Sequence, residues 1–343
     1  MPDEVDHSPV LTVQPLTMPW PTLDPFLFCV FHQDAYPEGD EQMGPRASLV
    51  GRSLGQDFGG RDGWSMYHGR KVPGFPQHPH RGFETVTVVR EGLIDHFDSM
   101  GATGRLGAGD VQWMTAGRGV LHSEMFPLVR QDARNPTELF QLWLNLPAAS
   151  KMAEPHFSMF WSEGVPRRTF TDGEGRSSRL TIVAGEFDGT TAPSPPPSSF
   201  ASDAQANVAI WLLSMDPFAT LTLPPAGPAT NRVAYLYEGD DLRFGGDAVE
   251  RGHAAALRST SPVVLKNGAA TASFLILQGR PIGEPVAQHG PFVMNTRAEL
   301  VQAFEDYQRT QFGGWPWPSD APVHSREQGR FARHADGREE RPE

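Results

Sequence analysis

Two short strings hold the residues best suited to chemistry: HPH at 78–80 and HSE at 122–124. On an extended strand, residues i and i+2 project from the same face. His78 with His80, and His122 with Glu124, can therefore each aim at one point from two neighbouring strands. Three imidazoles and one carboxylate suit Fe(II), and by ligand type also Mn, Co, Ni, Cu or Zn. A six-coordinate ion held by four side chains keeps two positions for water, substrate or O2. The expected site is thus open and reactive rather than a closed structural one. Either pair alone would read as ordinary strand histidines on a surface, so the surrounding sequence has to decide.

That sequence supplies strands. From Phe83 the chain breaks into short β-rich segments separated by turn residues: FETVTVV, LIDHFDS and RLGAGDVQWMTA, closed by FQLWLNLP. Val86 and Val88 alternate with Thr85 and Thr87, the period of a half-buried strand. Further strands are expected at VAIWLLSM, ATLTL, VAYLYEG and ASFLILQG, whereas 191–206 (TAPSPPPSSFASDAQA) is low in complexity and reads as an exposed connector. One helix is expected, near 297–309. Thr296 and Glu299 have capping-box spacing, and Leu300, Phe304 and Tyr307 share a face. With 35 glycines and 32 prolines in 343 residues, the pattern points to an all-β fold with many turns.

A weak internal repeat divides the chain. HPHRGFETVTVVREG ends at Gly92 and GPATNRVAYLYEG ends at Gly239; Gly109 precedes His122 by 13 residues, as Gly252 precedes Leu265. With Gly92 set on Gly239, His78 falls on Pro225, His80 on Gly227 and Glu124 on Asn267. The second copy keeps the strand rhythm and loses the ligands. The expected organisation is a metal-binding barrel over 1–147, a barrel without ligands over 148–312, and a Pro/Trp-rich, then charged tail over 313–343 that wraps the surface at its aromatic start and is solvated at its end.

Bulk properties exclude other classes. The formal net charge of -12 gives the surface no electrostatic reason to seek nucleic acid or an anionic membrane. The single cysteine, Cys29, permits no intramolecular disulfide and no thiolate cluster. No apolar run approaches the roughly 20 residues that span a bilayer. The start, MPDEVDHSPV, has no basic region followed by an apolar one. A cytoplasmic location is the expectation. No Ser/His/Asp triad, P-loop or dinucleotide fingerprint is present.

The wording of the strings is more specific than their spacing. HPHRGFETVTVV, GDVQWMTAGRGVLHSE, QLWLNLP and GPFVMNT together resemble the pirin family of the cupin superfamily, over about 28–312. The resemblance implies a bicupin, two tandem cupin-type β-barrels, with iron in the N-terminal barrel alone. The family's three histidines and one glutamate fall on His78, His80, His122 and Glu124. Glu84 stands where many other cupins place a glutamate ligand, but pirin-like proteins use the second motif's glutamate. Glu84 is therefore expected to hydrogen-bond near the site rather than to ligate. Phe83, Trp113 and Met114 are candidate pocket wall. His68, His96, His156, His253, His289 and His324 lack paired spacing and read as surface or core histidines.

The resemblance also implies two functions of different kinds. One is a quercetin 2,3-dioxygenase-type oxidoreductase, taking a flavonol-like small molecule and O2, with Glu124 as catalytic base for the 3-hydroxyl. The other is a regulator without catalysis, binding protein partners such as transcription factors or metabolic enzymes according to the oxidation state of its iron.

Overall fold

A computed structural model describes residues 8–343; the first seven residues of the acidic start lie outside it. The expected architecture is present: mostly β-sheet, with one α-helix, Arg297–Thr310, among the described residues. Two compact units divide the chain, and neither is continuous. One comprises Val30–Glu163 with Glu284–Glu343, the other the residues described up to Cys29 with Gly164–Gly283. The sequence placed the junction at 147/148 and set 313–343 apart. In the fold, His156–Phe160 pairs antiparallel with Val111–Thr115 and so stays with the first barrel. The chain after 283 belongs to that same unit.

The first unit is built from two sheets. In the six-stranded sheet the order is Glu339–Glu340, Phe331–Arg333, Thr103–Gly107, Leu93–Asp98, Val120–Met125, Gly74–His80. In the five-stranded sheet it is His156–Phe160, Val111–Thr115, Phe83–Glu91, Asn135–Asn145, Phe26–Tyr36. Residues 83–89 are buried on both faces. The Val/Thr alternation therefore does not separate core from solvent. It separates two buried surroundings, and Thr87 is on the side of the histidines.

The helix forms as its sequence requires. Thr296 Oγ1 accepts from the Glu299 amide at 3.2 Å, and Glu299 Oε2 accepts from the Thr296 amide at 2.8 Å, closing the capping box. Leu300 and Ala303 are buried against Phe292 and Met294, and Phe304 and Tyr307 pack on the same cluster.

Residues 315–334 are ordered against the first barrel, whereas 335–339 are exposed. Asp95 and Arg105 form a fully buried ion pair, Nε to Oδ1 at 2.6 Å. Arg105 Nη1 donates to the main-chain carbonyls of Ser325 (2.9 Å) and Gln328 (2.7 Å), Nη2 donates to Asp95 Oδ2 (2.8 Å), and Asp95 Oδ2 accepts from the His324 amide at 2.8 Å. Phe331–Arg333 then adds a strand beside residues 103–105. Its own side chains hold it as well: Trp317 donates to the Asp98 carbonyl, Arg326 to the Val129 carbonyl, and Arg330 pairs with Asp110.

In the second unit a seven-stranded and a four-stranded sheet enclose an apolar core that includes Trp211, Leu236, Phe244, Leu265 and Phe274. Leu265, the counterpart of His122, is thus core. Asn267, the counterpart of Glu124, donates from Nδ2 to the carbonyls of Met215, Asp216 and Ala270 at 2.8–3.0 Å. The 191–206 connector carries two 3-10 turns, with Ser199 and Ala206 buried.

Replacing Asp95 by alanine leaves Arg105 charged and buried without its carboxylate, and unseats the 324–333 segment. The expected cost is about 3–5 kcal/mol in urea unfolding, together with faster proteolysis within residues 315–343.

Candidate metal centre

The strand Gly74–His80 is the edge of its sheet, where Pro76 and Pro79 are tolerated because an edge residue need not donate to a ladder. It runs antiparallel to Val120–Met125, with His78 opposite His122, Phe75 opposite Glu124, and a register irregularity between Phe75 and His78. The ligand nitrogens offered by His78, His80 and His122 all lie within 4.8 Å of one another. Their ring centroids are 4.4–4.8 Å apart. Glu124 Oε2 is 3.9 Å from His122 Nε2. The fold therefore gathers the three histidines, with the Glu124 carboxylate beside His122.

The donor set fits a cation. Nδ1 of His78 is 2.9 Å from the Pro76 carbonyl, which assigns that nitrogen its proton and leaves Nε2 with a lone pair. His80 Nδ1 and both ring nitrogens of His122 are buried without a hydrogen-bond partner. Unpaired buried nitrogens are costly, and a cation that took one lone pair from each ring would relieve part of that cost. Burial pulls His78 down to about 4 and His80 and His122 well below the usual imidazole value. All three are consequently neutral and able to donate lone pairs. The group can hold a metal ion.

Glu124 is held separately. Thr87 Oγ1 donates to its Oε1 at 2.9 Å and Gln141 Nε2 to its Oε2 at 3.2 Å. Burial pushes the carboxyl up, against the opposing pull of His96 and these two bonds. Sequence reasoning missed Thr87 and Gln141. Thr87 was visible in the Val/Thr alternation but was assigned to the wetter face.

Neighbouring residues fall as follows. Phe83 is buried, with its ring 5.0 Å from that of His80 and 4.3 Å from that of Trp143. Glu84 accepts from Trp113 Nε1 (3.1 Å) and Thr115 Oγ1 (2.8 Å), alternating away from Thr87 and the histidines. Trp113 goes with it. Met114 packs on Ala116 and Val120 instead. His96 is fully buried 5.7 Å from His122; its Nδ1 accepts from Gln112, leaving Nε2 to donate to Asp98 at 3.2 Å. An unpaired spacing concealed it.

On the half-buried His78 side, Phe75 sits 6.4 Å from the imidazole and stacks on Tyr67 at 5.2 Å. Tyr67 donates its hydroxyl to Asp34 at 2.7 Å, and the Ser65 amide donates to the same carboxylate at 2.8 Å. Burial nevertheless lifts Asp34 to about 6.

Fold and site together define a two-barrel cupin with one histidine-rich centre, and the comparisons agree. The Pirin family profile matches residues 54–144, and that of the Pirin C-terminal cupin domain matches 210–313. Pirin-1 of Arabidopsis thaliana is 38% identical over 252 residues, 70% of this chain and 78% of its own. A pirin-like protein of Caulobacter vibrioides is 39% identical over 269 residues, 78% and 90% of the two chains. The crystal structure of a quercetin 2,3-dioxygenase from Acinetobacter baumannii superposes with a TM-score of 0.68 at 29% identity, covering 85% of this chain and 87% of that one. This chain belongs to the pirin family.

Asp34 gives the loop beside His78 a pH dependence. Its folded pKa is raised, so the folded protein holds the proton more tightly than the unfolded chain, and this contribution to stability is lost as pH rises from about 4 to about 6. Asp34→Asn mimics the protonated form. Its melting temperature relative to the parent is expected to be level near pH 4 and to rise to a plateau above pH 6, measured by thermal denaturation across that range.

Proposed function

We propose that this protein is an iron-dependent oxidoreductase of the quercetin 2,3-dioxygenase type, cleaving flavonol-like substrates with O2. The observation that carries the reading is the convergence of three neutral imidazoles, one of them beside a buried carboxylate held by two side-chain bonds. His78, His80, His122 and Glu124 would ligate Fe(II). The ion, when bound, would supply the charge and redox chemistry that bring substrate and O2 together.

The protein's own groups do the rest. The histidines, being neutral, hold the cation without cancelling its charge. Glu124 would be the one anionic ligand and so the carboxylate placed to accept a proton. Its role is to take the proton of the substrate's 3-hydroxyl, with Thr87 and Gln141 fixing the carboxylate in place. Phe83 and Trp143 beside His80 give a planar aromatic substrate an apolar wall. The Acinetobacter structure supports the choice of reaction type by its name and its fold.

The test is metal analysis of the purified protein joined to oxygen uptake with quercetin. Stoichiometric metal and flavonol-dependent uptake are expected, both lost in His122→Ala. Glu124→Gln is expected to lower turnover by about 10²-fold or more. A Glu124→Ala protein that keeps its metal and full turnover would remove Glu124 from the chemistry. Loaded protein without uptake across several flavonols would favour instead the redox-governed binding of protein partners.

A further inference from the structure

Four arginines are deeply buried: Arg52, Arg81, Arg105 and Arg232. Three have a carboxylate in direct contact: Asp57 at 2.9 Å, Asp306 at 2.8 Å and Asp95 at 2.6 Å. Arg232, at 1% exposure, has none among the described residues. Its Nε and one terminal nitrogen donate to Gln278 Oε1, and its other nitrogen donates to the Pro224 carbonyl at 2.9 Å. Gln278 is itself oriented, since its Nε2 donates to the Asn207 carbonyl. These acceptors are neutral, so they satisfy the geometry of the guanidinium without balancing its charge. A buried cation without a counter-charge carries a desolvation cost that hydrogen bonds to carbonyls only partly offset. Burial accordingly draws Arg232 down to about 10.

This unbalanced charge borders a space. Arg232 lines a cavity of about 420 Å³ in the second unit, together with Arg258, Thr230, Leu11, Leu23 and Leu257. The volume lies in the range of small-molecule sites. Thr230 Oγ1 is buried and has no hydrogen-bond partner. One wall is therefore cationic with a spare hydroxyl, and the other is aliphatic.

We propose that this cavity is a binding site for a small organic anion. Its carboxylate or phosphate head lies toward Arg232, Arg258 and Thr230, and its apolar body lies against Leu11, Leu23 and Leu257. The anion completes for Arg232 what Asp57, Asp306 and Asp95 supply to the other three arginines. The site is separate from the histidine cluster, and its occupancy does not depend on metal.

The experiment is calorimetric titration of the full chain with sodium benzoate, and separately with inorganic phosphate, at constant ionic strength set by NaCl. Saturable binding of either anion is expected, with a matching rise in melting temperature. Binding of benzoate alone assigns a carboxylate head with an apolar body, and binding of phosphate alone assigns a phosphate head. Arg258→Gln and Thr230→Val are each expected to weaken binding, Arg258→Gln by about tenfold or more. His122→Ala is expected to bind as the parent does. Arg232→Gln, where it folds, is expected to abolish binding; Arg258→Gln and Thr230→Val carry the test where it does not. The proposal is overturned by no saturation with either anion up to about 10 mM, by unchanged affinity in Arg258→Gln and Thr230→Val, or by loss of binding in His122→Ala.

Discussion

The antiparallel register between Gly74–His80 and Val120–Met125 is the constraint from which the rest of the site follows. Placing His78 opposite His122 lets two period-two pairs meet across one ladder. A slip of one residue would turn every one of these side chains to the other face of its strand. The barrel then has to supply two things the ladder cannot: a wall that excludes water and a grip on the carboxylate. Both come from the five-stranded sheet, where Phe83 and Thr87 of one strand and Gln141 and Trp143 of its neighbour reach the cluster. Each sheet contributes what the other lacks, so the site exists only in the closed barrel.

The second barrel shows what the same scaffold does without that demand. Where the first needs His122, the second has Leu265 in its core, and where the first needs Glu124, the second uses Asn267 to tie three carbonyls together. An amide can clamp backbone that a carboxylate would repel, because Nδ2 donates and a carboxylate only accepts. The duplicated fold has thus been divided between a polar, incompletely satisfied interior and a filled one. Arg232 is the exception in the filled barrel, and the contrast makes it conspicuous.

Much of this was legible in the sequence because it depends on local period and side-chain type. The i, i+2 spacing of His78/His80 and His122/Glu124, the capping box at Thr296 and the strand-turn rhythm are short-range signals; the fold gathers the three histidines and closes the capping box. Contacts between distant strands were not legible. Thr87 meets Glu124 and Gln141 only through sheet closure, and His96 reaches the neighbourhood of His122 from a strand whose own spacing is unremarkable. Alternation was read as core against solvent, a rule that fails for a strand covered on both sides. The aromatic start of the tail is legible as a surface wrap, but the partners of Arg326 and Arg330 are not, because Val129 and Asp110 lie about two hundred residues away in the chain.

The position of the first histidine pair carries a further consequence. A strand at the rim of a sheet is open to pairing with any extended chain that drifts past, including another copy of the same protein. Here Pro76 and Pro79 have no amide hydrogen to offer, and the Gln77 amide is already given to the Asp320 carbonyl. Three of the four residues from 76 to 79 therefore cannot donate to an incoming strand. The edge that presents two imidazoles to the barrel interior is, along its outer side, a poor template for aggregation. The same two prolines that frame the histidines also guard the sheet.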